Sequence, residues 1–459
     1  MEQYLKLLLE QIRCKRVHSY IKEEIQAHIE DQIEDNIQLG MTKEEAEKAA
    51  VEDMGSPIEV GIALDRIHRP KAAWGMIGLM AFISIAGIIF HGLIIMQLQN
   101  HMEGDLLQSL GSIGRQIVAS REGSANFALY TLIGFICMLI IYHIDYSVIA
   151  RFAKVWALVM IGIIGYGLFA GTIIGGMRYA VRILGMNIHM PSMMMLYVPL
   201  YGAILYSYYG KGYTAIVKSL LWMLVPTWMV LQLPSLPMAV IMLVSMSVVL
   251  TIAIANGWFQ VSKGKVLGFL WVIEIVLPIG GLTTAYVLEL LETYQIARIR
   301  SFLSGSGDAN YITNILRENF RESGFLGAGS QDAVGYLPNF NSDYIFSYLI
   351  SSYGLLVGAI VFSVFAVLIY TVFSVSFKQK NQLGTCMGCG CGMIFLLNVV
   401  INVAENIGIL PLSTTFLPFL STGGRNLIVC YILMGIVLSI YRYKDIYPMG
   451  EKRHISAPE

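Results

Sequence analysis

Apolar stretches long enough to cross a membrane recur from Trp74 to Tyr441, separated mostly by short polar loops. A hydrocarbon core about 30 Å thick takes about 20 helical residues, and inside it every backbone polar group must be satisfied internally. Such a chain folds as a bundle of α-helices. Ten spans are expected, near residues 73–97, 126–144, 153–175, 192–209, 216–233, 236–255, 266–290, 343–376, 385–411 and 424–442. Only 14% of the 459 residues are charged, against about 25% in a soluble domain. A soluble enzyme is therefore excluded, and the fold class is all-α: a polytopic membrane protein of about ten transmembrane helices. The zero formal net charge offers no field for nucleic acid.

Charge is concentrated in residues 1–70, which hold 9 of the 31 Lys/Arg and 15 of the 31 Asp/Glu. Ile21, Ile25, Ile29 and Ile33 repeat every four residues while Glu23, Glu24, Glu30, Asp31, Glu34 and Asp35 cover the rest of the surface, so this segment reads as an amphipathic helix. Gly40 stops it, and Thr42 with Glu45 forms a capping box for the next helix, which Gly55 and Pro57 end. Residues 1–70 are thus expected as a small cytoplasmic helical head, 71–445 as the membrane domain and 446–459 as a cytoplasmic tail. The N-terminus opens on a charged amphipathic segment and not on a signal peptide, so the first span is expected to act as its own insertion signal.

Basic residues set the orientation. Arg66, Arg69 and Lys71, then Arg151 and Lys154, Lys211 and Lys218, Lys263 and Lys265, Lys378 and Lys380, and finally Arg442, Lys444, Lys452 and Arg453 fall on alternate connections. By the positive-inside rule those ends face the cytoplasm, and the connections 98–125, 176–191 and 291–342 face outward. The last, about fifty residues long, carries Glu292, Arg298, Arg300, Asp308, Arg317, Glu318, Arg321, Glu322 and Asp332 among aromatic and aliphatic residues. A loop of that length with that content is expected to be ordered, with one or two interfacial helices, and to be functional.

The run Phe325-Leu-Gly-Ala-Gly-Ser-Gln-Asp-Ala-Val-Gly-Tyr-Leu-Pro-Asn-Phe-Asn-Ser-Asp343-Tyr-Ile-Phe resembles the outer-loop hallmark of the SEDS family, the FtsW/RodA/SpoVE proteins of cell-wall synthesis. Asn406-Ile-Gly-Ile-Leu-Pro411-Leu-Ser-Thr-Thr-Phe-Leu-Pro418-Phe-Leu-Ser421-Thr-Gly423-Gly424 resembles a second family signature. Weaker echoes are Arg115-Gln116 and Ile144-Asp145-Tyr146, and the resemblance covers roughly residues 72–445. The head is similar to a small permease-prefix-like helical domain that precedes some bacterial membrane proteins, through Ala46, Ala49, Ala50, Met54, Gly55 and Pro57.

The resemblance implies an inverting peptidoglycan glycosyltransferase that polymerises lipid II, a disaccharide on undecaprenyl pyrophosphate, at the outer face of the bacterial plasma membrane. It also implies a class B penicillin-binding protein as partner, a role in division, cell shape or sporulation, and compatibility with a divalent cation. Asp343 occupies the position of the family's essential acid. A sugar hydroxyl that attacks an anomeric carbon must lose its proton, and a carboxylate at the outer surface is placed to take it. The same aspartate also fits a helix N-cap at the start of the eighth span.

A departing pyrophosphate asks for positive charge. Arg178 and Arg182, which share a face if their segment is helical, and Arg425 are the candidates; each also fits an interfacial lipid anchor. Gly423 and Gly424 would let the backbone approach a ligand or a neighbouring helix closely, and with Ser421 they are candidate substrate-binding residues. Glu405, Asn406 and Asn402, with Glu274, are polar groups in or near spans, where such groups tend to line cavities.

Departures from the family pattern are Met190-Pro191-Ser192-Met193 in place of a Gln-Pro-Ser-Glu-like start, Ser351-Ser352-Tyr353-Gly354 in place of Glu-Glu-x-Gly, and Arg425 where small residues are usual. They leave a lipid-linked precursor transporter and a non-catalytic scaffold as alternative readings. Cys386, Cys389 and Cys391 lack a fourth ligand for zinc and read as small residues of a Gly-rich helix, with lipidation as the alternative. The eight histidines show no metal-ligand spacing, and no nucleotide-binding loop is present.

Overall fold

The computed structural model describes residues 1–102, 112–174, 177–183, 186–233, 235–287, 311–327, 337, 339–410 and 415–444. The first four helices are α1 (Glu2–Glu10), α2 (His18–Gln38), α3 (Lys43–Asp53) and α4 (Pro57–His68). The four-residue isoleucine repeat becomes the inner face of α2: Ile21, Ile25 and Ile29 are buried with Leu5, Leu8 and Ala50, while Ile33 is partly covered. Glu45 N–H donates to Thr42 Oγ1 (3.4 Å) and Thr42 N–H to Glu45 Oε2 (3.2 Å), which satisfies two of the donors that a helix start leaves open. Pro57 opens α4, where a missing N–H costs no hydrogen bond.

The membrane domain contains α5 (Trp74–Met102), α6 (Ser112–His143), α7 (Tyr146–Arg151), α8 (Ala153–Ala170), α9 (Met190–Met194), α10 (Tyr197–Tyr206), α11 (Tyr213–Leu231), α12 (Leu236–Ala255), α13 (Lys263–Val287), α14 (Tyr311–Glu322), α15 (Ile345–Tyr353), α16 (Leu355–Phe377), α17 (Gln382–Asn406) and α18 (Gly424–Arg442). Among the described residues, eight helices are long and apolar enough to cross a membrane. This is a multi-pass helical membrane protein.

Three expectations from the sequence are corrected. The eighth span is two helices: the chain breaks at Gly354, whose φ of +96° favours glycine, and the spanning helix is α16 alone. The first N–H groups of α16 are not orphaned, because Leu355 and Leu356 donate to the Gly324 and Phe325 carbonyls that follow α14 (3.0 and 3.1 Å). The fourth expected span is a short apolar pair, α9 and α10, interrupted at Met195-Leu196. The segment after α8 is not helical: β1 (Thr172–Ile174), β2 (Met177–Ile183) and β3 (Met186–His189) form one antiparallel sheet in the order β1-β2-β3.

Glycine lets the helices close on each other. A Cβ at Gly134 of α6 would stand 2.3 Å from the Tyr431 ring of α18, and one at Gly435 of α18 would stand 2.9 Å from Ile141. Cys386, Cys389 and Cys391 are fully buried in α17, where Gly202 of α10 meets the Cys386 backbone, Gly388 meets Ser376 of α16 and Gly390 meets Val198. The structure thus gives these thiols a packing role.

The two ends of the bundle differ. At one end Lys71 N–H donates to the Arg442 carbonyl (3.0 Å), Tyr443 OH to the His143 carbonyl (3.0 Å), and Lys154 and Lys211 lie over the Tyr208 ring. The other end gathers the sheet, α14, and the segments 339–344 and 415–423. There Leu316 of α14 packs with Ile94 and Leu98 of α5 and with Phe340, Tyr344 and Tyr348.

Candidate active site

Residues 339–344 form a turn closed by the Asn339 carbonyl, which accepts from the Ser342 and Tyr344 amides (2.9 and 3.3 Å). This turn docks against 415–423. Thr422 N–H and Oγ1 both donate to the Asn341 carbonyl at 2.9 Å, and Ser421 Oγ donates to the Ser342 carbonyl at 2.7 Å while accepting from Leu417 N–H at 2.8 Å. The two sequence motifs, separated by α16 and α17, are therefore laced together by backbone acceptors and short hydroxyl side chains.

Helix α17 supports the turn from beneath. Asn402 and Asn406, one helical turn apart, both donate through Nδ2 to the Asp343 carbonyl at 3.0 Å. Asn406 Oδ1 also accepts from Ser347 N–H (2.9 Å), and Asn402 donates to the Thr415 carbonyl (3.2 Å). Asp343 is not the N-cap of the following helix: α15 starts at Ile345 without a side-chain cap of its own, and Asn406 satisfies its first turn instead. The carboxylate is left for other work.

Asp343 lies ahead of the membrane-spanning helix and is mostly buried. Ser342 Oγ lies 3.2 Å from Asp343 Oδ1 and 3.0 Å from the Thr422 carbonyl, and donates to one at a time. Burial pushes the Asp343 carboxyl up to about 6, against the opposing pull of hydrogen bonds from Ser342 and Asn339.

A pocket of about 330 Å³ opens beside this turn, between α6 and the start of α18. Ser342, Thr422, Gly423 and Gly424 line it together with Asn126 and Tyr130. Gly423 caps α18 with φ +141°, and a Cβ at Gly424 would stand 2.3 Å from the Tyr130 ring. Both glycines are therefore required where they stand, one by backbone conformation and the other by close approach. A second, smaller pocket of about 40 Å³ lies across the 415–426 segment, lined by His189, Ser192, Asn398, Thr415 and Asn426.

The profile of the cell cycle protein family, FtsW/RodA/SpoVE, matches residues 117–446. The chain belongs to that family. It is 29% identical over 175 residues to the probable peptidoglycan glycosyltransferase FtsW of Hydrogenovibrio crunogenus, covering 36% of this chain and 44% of that one. It is 28% identical over 178 residues to stage V sporulation protein E of Bacillus subtilis, covering 37% and 48%. The chain thus spans about half the length of these curated relatives. Its fold is similar to a chain solved in "Structural coordination of polymerization and crosslinking by a peptidoglycan synthase complex", with TM-score 0.63, 17% identity and coverage of 81% and 98%. It is also similar to the rod shape determining protein RodA of Thermus thermophilus, with TM-score 0.53, 14% identity and coverage of 81% and 97%.

Within this FtsW/RodA/SpoVE fold the other expected residues are spread out. Arg178 and Arg182 lie on a strand, not a helix, yet the two-residue period of β2 still puts both on one face. The Arg178 guanidinium donates to the Leu168 carbonyl at the end of α8, a helix-terminating role. Arg425 is exposed at the start of α18; burial, helped by the Arg425 charge, pushes the His189 imidazole down to about 4. Glu405 and Asn406 are both buried at 1% exposure and spend their polar atoms on the 415 and 343 loops; neither lines the two pockets described. Glu274 of α13 accepts from Ser247 of α12. Residues 291–310, 328–336 and 411–414, which hold part of both motifs, lie outside the described residues, as do the tail residues 446–459 and the Arg115 and Gln116 side chains.

His189, Asn339, Asn341 and Asn426 also belong to the site, although no sequence motif singles them out. Ser192 N–H donates to His189 Nδ1 (3.3 Å), and Ser192 Oγ donates to Asn426 Oδ1, so the Pro191-Ser192 step is tied to α18. The adjacency of His189 to Pro191-Ser192, and of Asn426 to Gly423-Gly424, was the available signal. Among the described residues no three His, Cys, Asp or Glu side chains converge. A divalent cation at Asp343 would find one carboxylate, which fits an ion that keeps its waters and takes further oxygens from a substrate.

Proposed function

We propose that this chain is a peptidoglycan glycosyltransferase that polymerises lipid II at the outer face of the plasma membrane, with Asp343 as general base. The single observation that carries the reading is the Asp343 carboxylate itself. It is mostly buried between the two family motifs, held by a fixed backbone, and pushed up to about 6, near the pH at which a base works best. The carboxylate takes the proton of an acceptor sugar hydroxyl as that oxygen attacks the anomeric carbon and the diphosphate leaves, which inverts the centre. Arg425 serves the diphosphate, supported by its position beside the pockets; Arg182, and less directly Arg178, extend the positive surface. Gly423 and Gly424 shape the pocket wall that receives the glycan, and Ser421 holds the turn behind it through the Ser342 carbonyl. A divalent cation, where bound, would neutralise diphosphate charge.

The head (residues 1–70) and the tail are assigned to the cytoplasm, on the alternation of basic loops and the gathering of Arg442, Lys154 and Lys211 at the end opposite Asp343. A class B penicillin-binding protein is the proposed partner, supported by the likeness to a chain of a synthase complex. A transporter reading would need intramembrane polar groups lining a path; Glu405 and Asn406 are instead committed to holding the loops. The test is formation of glycan from labelled lipid II by the purified full chain in liposomes, alone and with the cognate penicillin-binding protein. Product above the protein-free control supports the reading. Transbilayer movement of lipid II without any polymer would replace it with the transporter.

A further inference from the structure

His91, on α5, is 1% exposed, and both of its ring nitrogens are engaged. Nε2 stands 2.8 Å from the Leu420 carbonyl, which can only accept, so Nε2 carries the proton. Nδ1 of the neutral ring is then an acceptor, and Ser124 Oγ of α6 donates to it at 3.2 Å. Ser124 Oγ in turn accepts from Asn341 Nδ2 at 3.1 Å, and the same amide nitrogen donates to the Ser120 carbonyl at 2.7 Å. Every proton in this chain of bonds has one direction. One end holds the 417–422 turn through Leu420; the other holds Asn341, two residues before Asp343. Each held segment contains a non-glycine residue in the left-handed region, Phe419 at φ +63° and Asn339 at φ +47°. Asparagine adopts that conformation readily, whereas for a bulky phenylalanine it persists only where the surroundings impose it.

We propose that His91 is a positioning residue: through Leu420 and through Ser124–Asn341 it clamps the two motif loops together and so fixes the Asp343 carboxylate against the acceptor hydroxyl. This rests on the glycosyltransferase reading for its kinetic consequence but not for the clamp itself. A displacement of about 1 Å at a reacting group costs about 100-fold in rate. His91→Leu should therefore lower kcat about 100-fold with KM within about threefold of wild type. Ser124→Ala, which removes only the link to Asn341, should lower kcat about tenfold. His91→Gln, which supplies both a donor and an acceptor, should recover most of the loss. In the double variant His91→Leu/Ser124→Ala the loss should equal that of His91→Leu alone, because both act in one chain.

Hydrogen exchange on the full chain in nanodiscs reads the clamp without any substrate. Exchange of a 417–423 peptide should rise about tenfold in Ser124→Ala and in His91→Leu, with α2 and α3 peptides unchanged. If the wild type forms no polymer while this exchange rises, the enzyme reading fails and the clamp stands. Unchanged exchange at 417–423, or a Ser124→Ala enzyme with wild-type kcat, overturns the clamp even if His91→Leu fails to fold.

Discussion

Replacing Asp343 with asparagine should make the protein more stable at neutral pH while removing its activity. Burial raises the carboxyl from 3.8 to about 6, and each unit is worth about 1.36 kcal/mol, so ionised Asp343 costs the folded chain up to about 3 kcal/mol. Because the folded value lies above the unfolded one, the cost is absent below pH 3.8, grows between 3.8 and about 6, and is constant above. Asparagine keeps the shape and an oxygen for the Ser342 hydroxyl but never ionises. Thermal unfolding in detergent at pH 4.5, 6 and 7.5 reads the difference. The variant should outlast wild type by several degrees at pH 7.5, and the gap should narrow steadily toward pH 4.5. A variant no more stable than wild type at pH 7.5, or a gap that does not change with pH, would refute the claim that a buried, destabilised carboxylate sits at this position.

Since the base must be ionised, the rate of lipid II polymerisation under kcat/KM conditions should rise about tenfold per unit below pH 6 and level off above, and a flat profile between pH 5 and 7 would contradict the assignment. Asn406→Leu leaves Ser347 N–H unpaired and removes one of two donors to the Asp343 carbonyl, a loss of about 1–3 kcal/mol for the buried group, with activity falling more than tenfold; unaltered unfolding and rate would remove Asn406 from the site. Arg425→Gln should raise KM for the lipid-linked donor about tenfold with kcat nearly unchanged, whereas unchanged KM would leave Arg425 an interfacial anchor.

The long helices were legible because a membrane enforces one rule over some twenty residues at a time, and apolar runs such as that of α12 obey it throughout. The break at Gly354 was not, since hydropathy is blind to φ and the apolar run continues on both sides. The sheet is legible only in hindsight: Arg178, Ala180 and Arg182 alternate with Tyr179, Val181 and Ile183, a period-2 pattern flanked by Gly175-Gly176 and Leu184-Gly185, but a four-residue spacing of arginines fits a helix face equally well. Asp343, Ser421 and Asn406 were found through their two motifs, and the structure brings these together through backbone carbonyls, a kind of contact that no side-chain pattern encodes. Orientation within the site was likewise hidden: Glu405 and Asn406 were expected to face a cavity, and instead their polar atoms hold the loop ends. His91 could not be singled out, because its partners Leu420 and Ser124 lie on distant segments.

The measurement that bears most directly on the central claim is polymer formation from labelled lipid II by wild type and Asp343→Asn, matched for amount and folding, in liposomes with the same penicillin-binding protein. Long glycan strands from wild type and none from the variant are the predicted result. Equal polymer from both, with the variant as well folded as wild type, would contradict the assignment of Asp343 as the base.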